Sequence, residues 1–166
     1  MSTFYKDSSD NRYYVGRAFT YSGTQYTKAG ATASTFLGLG FTAVTVGLRP
    51  DDRFYIVTGP DANGAYTTTD RDLAELKTRF VRETKLAAIQ FLKNTDWYVV
   101  RNIENSTAIP TEVTTYRAAL RTASSTRCDE INAVTTVAAL ETLIGGTGLT
   151  DWPARTDVEP FEFGGY

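Results

Sequence analysis

Residues 70–93 read DRDLAELKTRFVRETKLAAIQFLK, and this stretch divides a β-rich half of the chain from a helical half. Leu73, Leu76, Phe80, Ala87 and Phe91 recur at helical spacing, with Thr84 filling the gap at the same phase. Val81, Ala88 and Leu92 widen the stripe, while Arg79, Arg82, Glu83 and Lys85 fall elsewhere. The pattern predicts an amphipathic helix from Asp70 to Lys93 whose apolar side packs on a sheet. Thr69 with Asp72 is read as a capping box at its start, and Asn94-Thr95-Asp96 as its end.

Upstream of this helix the signals are those of strands and tight turns. Tyr13, Tyr14 and Val15 open a run that continues to Tyr21, Ser22-Gly23 is a two-residue turn signal, and Thr24–Thr27 resumes the strand pattern. Thr32 can cap a short helix carrying Phe36, Leu37 and Leu39, stopped by Gly38 and Gly40. Phe41–Val46 suits a strand. After the turn Arg49-Pro50-Asp51-Asp52, Arg53–Thr58 pairs with Ala65–Thr68 across the turn cluster 59–64.

Downstream, Trp97-Tyr98-Val99-Val100-Arg101 reads as a short strand. Pro110 starts a helix carrying Val113, Tyr116 and Leu120, with Ala119 and Ala123 beside them, and Ser124-Ser125 is read as its break. Cys128 and Ile131 mark another short helical turn. Thr136 caps a last helix with Val137, Leu140 and Ile144, stopped by Gly145-Gly146.

These elements predict an α+β fold, with an N-terminal, mostly antiparallel β part and a C-terminal helical part. The expected organisation is one domain over 1–157, β-rich over 1–69 and helical over 70–150. An extended arm follows over 158–166. Phe80, Trp97, Tyr116, Leu120 and Trp152 are the expected core anchors. In an extended arm Phe161 and Phe163 point to one side and Glu162 to the other, and Gly164-Gly165 lets Tyr166 turn freely. Phe161, Phe163 and Tyr166 are therefore the candidate protein-interface residues.

The composition narrows the function. Seventeen Lys and Arg against 19 Asp and Glu give a net charge of −2, with no basic block to follow a phosphate backbone. No nucleic-acid partner is expected. No apolar run reaches the length of a membrane span, and Met1–Asn11 lacks a signal peptide's apolar stretch. With no His and a single cysteine, Cys128, the chain offers neither a zinc ligand set nor an internal disulfide. Asp61-Ala62-Asn63-Gly64 lacks the third spaced ligand and distal Glu of a calcium loop, and Asp51-Asp52 reads as a solvated turn. Gly38-Leu39-Gly40 and Gly145-Gly146-Thr147-Gly148 lack the endings of phosphate-binding loops. No cofactor, metal site or catalytic residue is assigned. A two-carboxylate glycan hydrolase needs no sequence signature and stays as an alternative.

From Arg49 onward the chain resembles a family. The residues concerned are Pro50-Asp51-Asp52-Arg53-Phe54-Tyr55, 59–66, Arg71-Asp72-Leu73-Ala74-Glu75-Leu76-Lys77 and, most specific, 92–101 (LKNTDWYVVR). Ile109-Pro110, Tyr116-Arg117-Ala118-Ala119-Leu120-Arg121 and a late Trp152-Pro153 follow in order. Together they are similar to the small tail-fibre-associated proteins of tailed bacteriophages, which include both assembly factors and virion components. The resemblance implies a non-enzymatic structural component of a tail, tail fibre or baseplate. Its partners would be other tail or fibre proteins or further copies of this chain, with no membrane partner. It would reside in the virion tail, and in host cytoplasm during assembly. A tail-fibre assembly chaperone that leaves the mature virion is the alternative within the same resemblance.

Overall fold

Thr3-Phe4-Tyr5-Lys6 forms β1, a strand the sequence reading passed over in a polar N-terminal segment, and it is the centre of the only three-stranded sheet among the described residues. The computed structural model describes residues 2–154. The fold is α+β, and the chain separates into two compact units, one ending at Asp70 and one beginning at Arg71.

In the first unit β1 (Thr3–Lys6) pairs antiparallel with β2 (Arg12–Tyr13) on one side and with β5 (Thr42–Thr45) on the other. Successive strand residues face opposite ways, yet Phe4 and Tyr5 are both buried, so both faces of the strand are covered. Tyr5 lies in a cluster with Ala31, Phe36 and Phe41, onto which Tyr13, Phe19, Tyr21 and Leu39 pack. Its rings meet at separations such as 4.9 Å for Tyr5–Phe36 and 4.6 Å for Tyr13–Phe41. Such pairs contribute roughly 0.5–1.5 kcal/mol each beyond the area they bury.

The first expected hairpin forms as β3 (Phe19–Tyr21) and β4 (Thr24–Tyr26). Ser22 and Gly23 both have positive φ, 48° and 80°, the geometry of a type I′ turn. The strand is shorter than expected because the chain turns at Tyr14–Arg17, where Gly16 donates its N–H to Ala31. Thr32 caps α1 (Ala33–Gly38) by accepting the Thr35 N–H.

The second expected hairpin forms as β6 (Tyr55–Thr58), which begins two residues later than expected and ends where expected, and β7 (Thr67–Asp70), which lies two residues further along. Asp51 holds Arg53 and Phe54 in a turn before β6, taking the Arg53 N–H on its carboxylate and the Phe54 N–H on its carbonyl. Asp61 likewise takes the Asn63 and Ala65 amides. Gly64, at φ 80°, lies where a Cβ would meet the Thr45 carbonyl oxygen at 2.6 Å. Only glycine fits there.

In the second unit α2 (Leu73–Lys93) follows the expected helix with two corrections. Thr69 belongs to β7 and cannot cap it; Asp72 does, accepting the Glu75 N–H at 2.8 Å. The buried line is Leu76, Phe80, Thr84 and Ala88, at strict four-residue spacing, whereas Phe91 is exposed. The facing element is another helix. α2 packs on α4 (Thr111–Ala133), not on a sheet. The pair is antiparallel: Lys77 reaches the Asn132 carbonyl at one end and Arg117 the Leu92 carbonyl at the other.

Two further expectations are corrected. Residues 97–101 are not a strand but part of α3 (Asp96–Asn105). Strand propensity in Val99-Val100 is outweighed by burial of Tyr98 against Val113, a helix-phase contact. Nor do Ser124-Ser125 end α4, which runs through them. Leu120, Ala123, Cys128 and Ile131 keep one face buried, so packing overrides the weak local propensity. α5 (Val137–Gly145) has the expected Thr136 cap, bonded to the Ala139 N–H, and buries Val137 and Leu140.

Of the expected core anchors, Phe80 and Leu120 are buried. Trp97, Tyr116 and Trp152 are half-buried. Trp97 packs on the Tyr98–Val113 cluster, of which Phe80 is not a part. Phe80→Ala is therefore expected to cost about 3–5 kcal/mol, and Trp97→Ala clearly less, in urea unfolding followed by the helical circular-dichroism signal.

Candidate protein-docking surface

Arg117 organises the corner between α2 and α3. Its side chain is 11% exposed and its Nη1 donates to the Leu92 carbonyl at 3.1 Å and to Thr95 Oγ1 at 2.6 Å, and pairs with Asp96 Oδ1 at 2.9 Å. Thr95 is fully buried and its hydroxyl donates in turn to Leu92 O. A helix C-terminus leaves carbonyls without partners, and here one cation collects a carbonyl, a hydroxyl and a carboxylate. The segments 94–97 and 116–117, distant in sequence, thus meet at one point.

A second anchor holds the chain after α5. Glu130 accepts the Thr150 hydroxyl at 2.5 Å and the Thr150 N–H at 2.9 Å. Arg127, one turn earlier on α4, donates to the Thr150 carbonyl and lies 4.8 Å from the Trp152 ring centre. Trp152 also meets Phe91 of α2 at 5.3 Å. The Thr150 side-chain and backbone hydrogen bonds hold the Glu130 carboxyl below its ordinary value of 4.5.

Two grooves line the α2–α4 pair, and Lys85 borders both. One, of about 590 Å³, is lined by Ala74, Lys77, Val81, Arg82 and Leu86 among others. The next, of about 330 Å³, continues with Ala88, Ile89, Leu92, Arg121 and Ser124. A third, of about 500 Å³, lies where Pro153 and Ala154 pass Glu112, Tyr116 and Ala119 of α4. Leu86, Ile89, Val100 and Ile103 are large apolar side chains left exposed on α2 and α3, Ile103 at 76%.

Asp7, Asp51, Asp52 and Asp61 are each engaged by near neighbours in the chain. Asp7 is buried, but its oxygens take the Ser9 and Asn11 amides, the Asn11 side chain and the Tyr13 hydroxyl. The Asn11 side-chain bond leads the causes that hold it below the usual carboxylate range. Asp51 pairs with Arg53 and Asp52 with Arg49, and Asp61 is held low by the Ala65 and Asn63 amides. No group of three or more His, Cys, Asp or Glu that could hold a metal occurs among the described residues. Nor is any helix among them long and apolar enough to cross a membrane. Cys128 is buried on α4.

Phe161, Phe163 and Tyr166, the interface residues expected from sequence, lie outside the described residues. The hub role of Arg117 was missed, although a Tyr-Arg pair seven residues after Pro110 is the position a helix would turn inward. Comparison with protein-family models, curated proteins and solved structures finds no match.

Two variants probe these anchors. Arg117→Met keeps the aliphatic stem but strands buried polar atoms, and is expected to lower stability by about 1–3 kcal/mol in urea unfolding. For Glu130, a folded value below the ordinary one adds stability above the unfolded value that fades as pH falls through the folded value. Glu130→Gln should therefore melt below wild type at pH 7, with the gap closing below pH about 4.5. A pH-independent gap in differential scanning calorimetry contradicts this.

Proposed function

We propose that the chain is a structural component of a bacteriophage tail, tail fibre or baseplate that works by protein–protein contact. The observation that carries the reading is the Arg117 junction. Thr95 and Asp96, from the most specific block of the resemblance, and Arg117, from a later one, share hydrogen bonds at one corner. The late Trp152-Pro153 is likewise fixed beside α4 and α2 by Arg127 and Phe91. Two blocks of the resemblance that meet at one corner of a unit are a stronger signature than blocks that do not meet. Leu86 with Ile89 on α2, and Val100 with Ile103 on α3, are exposed apolar pairs one turn apart and support a contact role, because neighbouring apolar side chains left in water mark interaction surfaces.

The partners are other tail or fibre proteins or further copies of the chain, and the place of action is the virion tail, reached through host cytoplasm. Quantitative mass spectrometry of purified particles tests this. Constant stoichiometry relative to the major tail proteins is expected. Presence in infected-cell lysate bound to fibre protein, with absence from particles, would instead identify an assembly chaperone.

A further inference from the structure

The grooves along α2 combine an apolar floor with a basic rim. Val81, Leu86 and Ile89 supply the floor, and Leu86 and Ile89 are 47% and 55% exposed. Lys77, Arg82 and Lys85 of α2 and Arg121 of α4 line the same path. Arg82 and Lys85 form no ion pair with a described residue, while the neighbouring Arg79 is taken by Glu83. A surface of this kind suits an extended peptide that is acidic and aromatic.

The chain carries such a peptide beyond the described residues. Residues 155–166 read RTDVEPFEFGGY, with three carboxylates, one cation and three aromatic rings. We propose that the α2 groove is the binding site of this chain's own segment Asp157–Tyr166. Ala154 lies beside Glu112, Tyr116 and Ala119 at the early end of α4, the end at which Arg117 meets Leu92 of α2, so the segment leaves at that end and crosses α4 to reach the face of Arg121. Twelve extended residues reach up to about 40 Å, and the helix from Leu92 back to Ala74 is about 27 Å long. Running that way, Asp157 and Glu159 meet Arg121 and Lys85 first. Phe161 and Phe163, on the same side of an extended chain as Asp157 and Glu159, then cover Ile89, Leu86 and Val81. Glu162 faces outward, and Pro160 lowers the ordering cost. The inference rests on charge, shape and chain length and is independent of the phage reading.

Photo-crosslinking of the full chain, with p-benzoylphenylalanine in place of Phe161, tests it on a mixture of isotopically light and heavy protein. The expected adducts fall on residues 77–92 and join light to light and heavy to heavy. Raising salt from 0.1 to 1 M shortens the screening length from about 10 to about 3 Å and should cut the yield several-fold. Arg82→Glu with Lys85→Glu should cut it about tenfold, the loss of roughly 1.4 kcal/mol, and adding Asp157→Lys with Glu159→Lys should restore most of it. Adducts on Thr115 or Tyr116, mixed-isotope adducts, no adducts, or a yield indifferent to salt would each overturn the proposal.

Discussion

One guanidinium fixes how the helical unit turns its first corner. The Arg117 side chain reaches from α4 to the Leu92 carbonyl in the last turn of α2 and to the residues that begin α3, so the end of one helix, the start of the next and the second turn of a third are defined together. Thr95 makes this workable. Its hydroxyl gives a proton to Leu92 and receives one from Arg117, which leaves no lone polar atom at a fully buried position. Asp96, half in solvent, adds charge to the cluster and sits in the first turn of α3, where a helix favours an anion. The antiparallel α2–α4 pair carries the apolar burial, but the corner decides where α3 departs and hence where Tyr98 meets Val113.

The first unit is held in another way. Its core is built of rings, with Tyr5, Tyr13, Phe19, Tyr21, Phe36 and Phe41 in mutual contact around short strands. Strands of two to four residues bury little by themselves, so large flat side chains supply area that longer strands would otherwise provide. Asp7 closes the β1–β2 connection by collecting four donors. One of them is Tyr13, whose hydroxyl is pushed above its ordinary value by burial first and by Asp7 second.

What the sequence displays is local chemistry. Ser22-Gly23, Thr32, Thr136 and the 3.6-residue rhythm of α2 each act through neighbours a few positions away, so the residues themselves announce the structure. What it conceals depends on distant partners. Trp97–Arg101 carries strand-forming side chains and becomes helical because Tyr98 is wanted on Val113, fifteen positions later. Thr3–Lys6 looks polar and short, and its status as central strand appears only when Thr42–Thr45 lies beside it. For the docking surface, the exposed rim of α2 was visible as charged positions off the apolar stripe. That these positions border grooves followed only from the placement of α4.

The serines in the middle of α4 have a consequence for how the two long helices relate. Residues 122–126 are Thr, Ala, Ser, Ser and Thr, types that lend little helical tendency, and Thr126 turns its hydroxyl back on the Thr122 carbonyl. α2, with its Leu, Ala, Lys and Glu, carries its helicity in its own composition. The two partners are thus unequal. α2 acts as a template and α4 as the strip moulded on it. Helicity in α4 is a property of the pair, borrowed from the surface it covers.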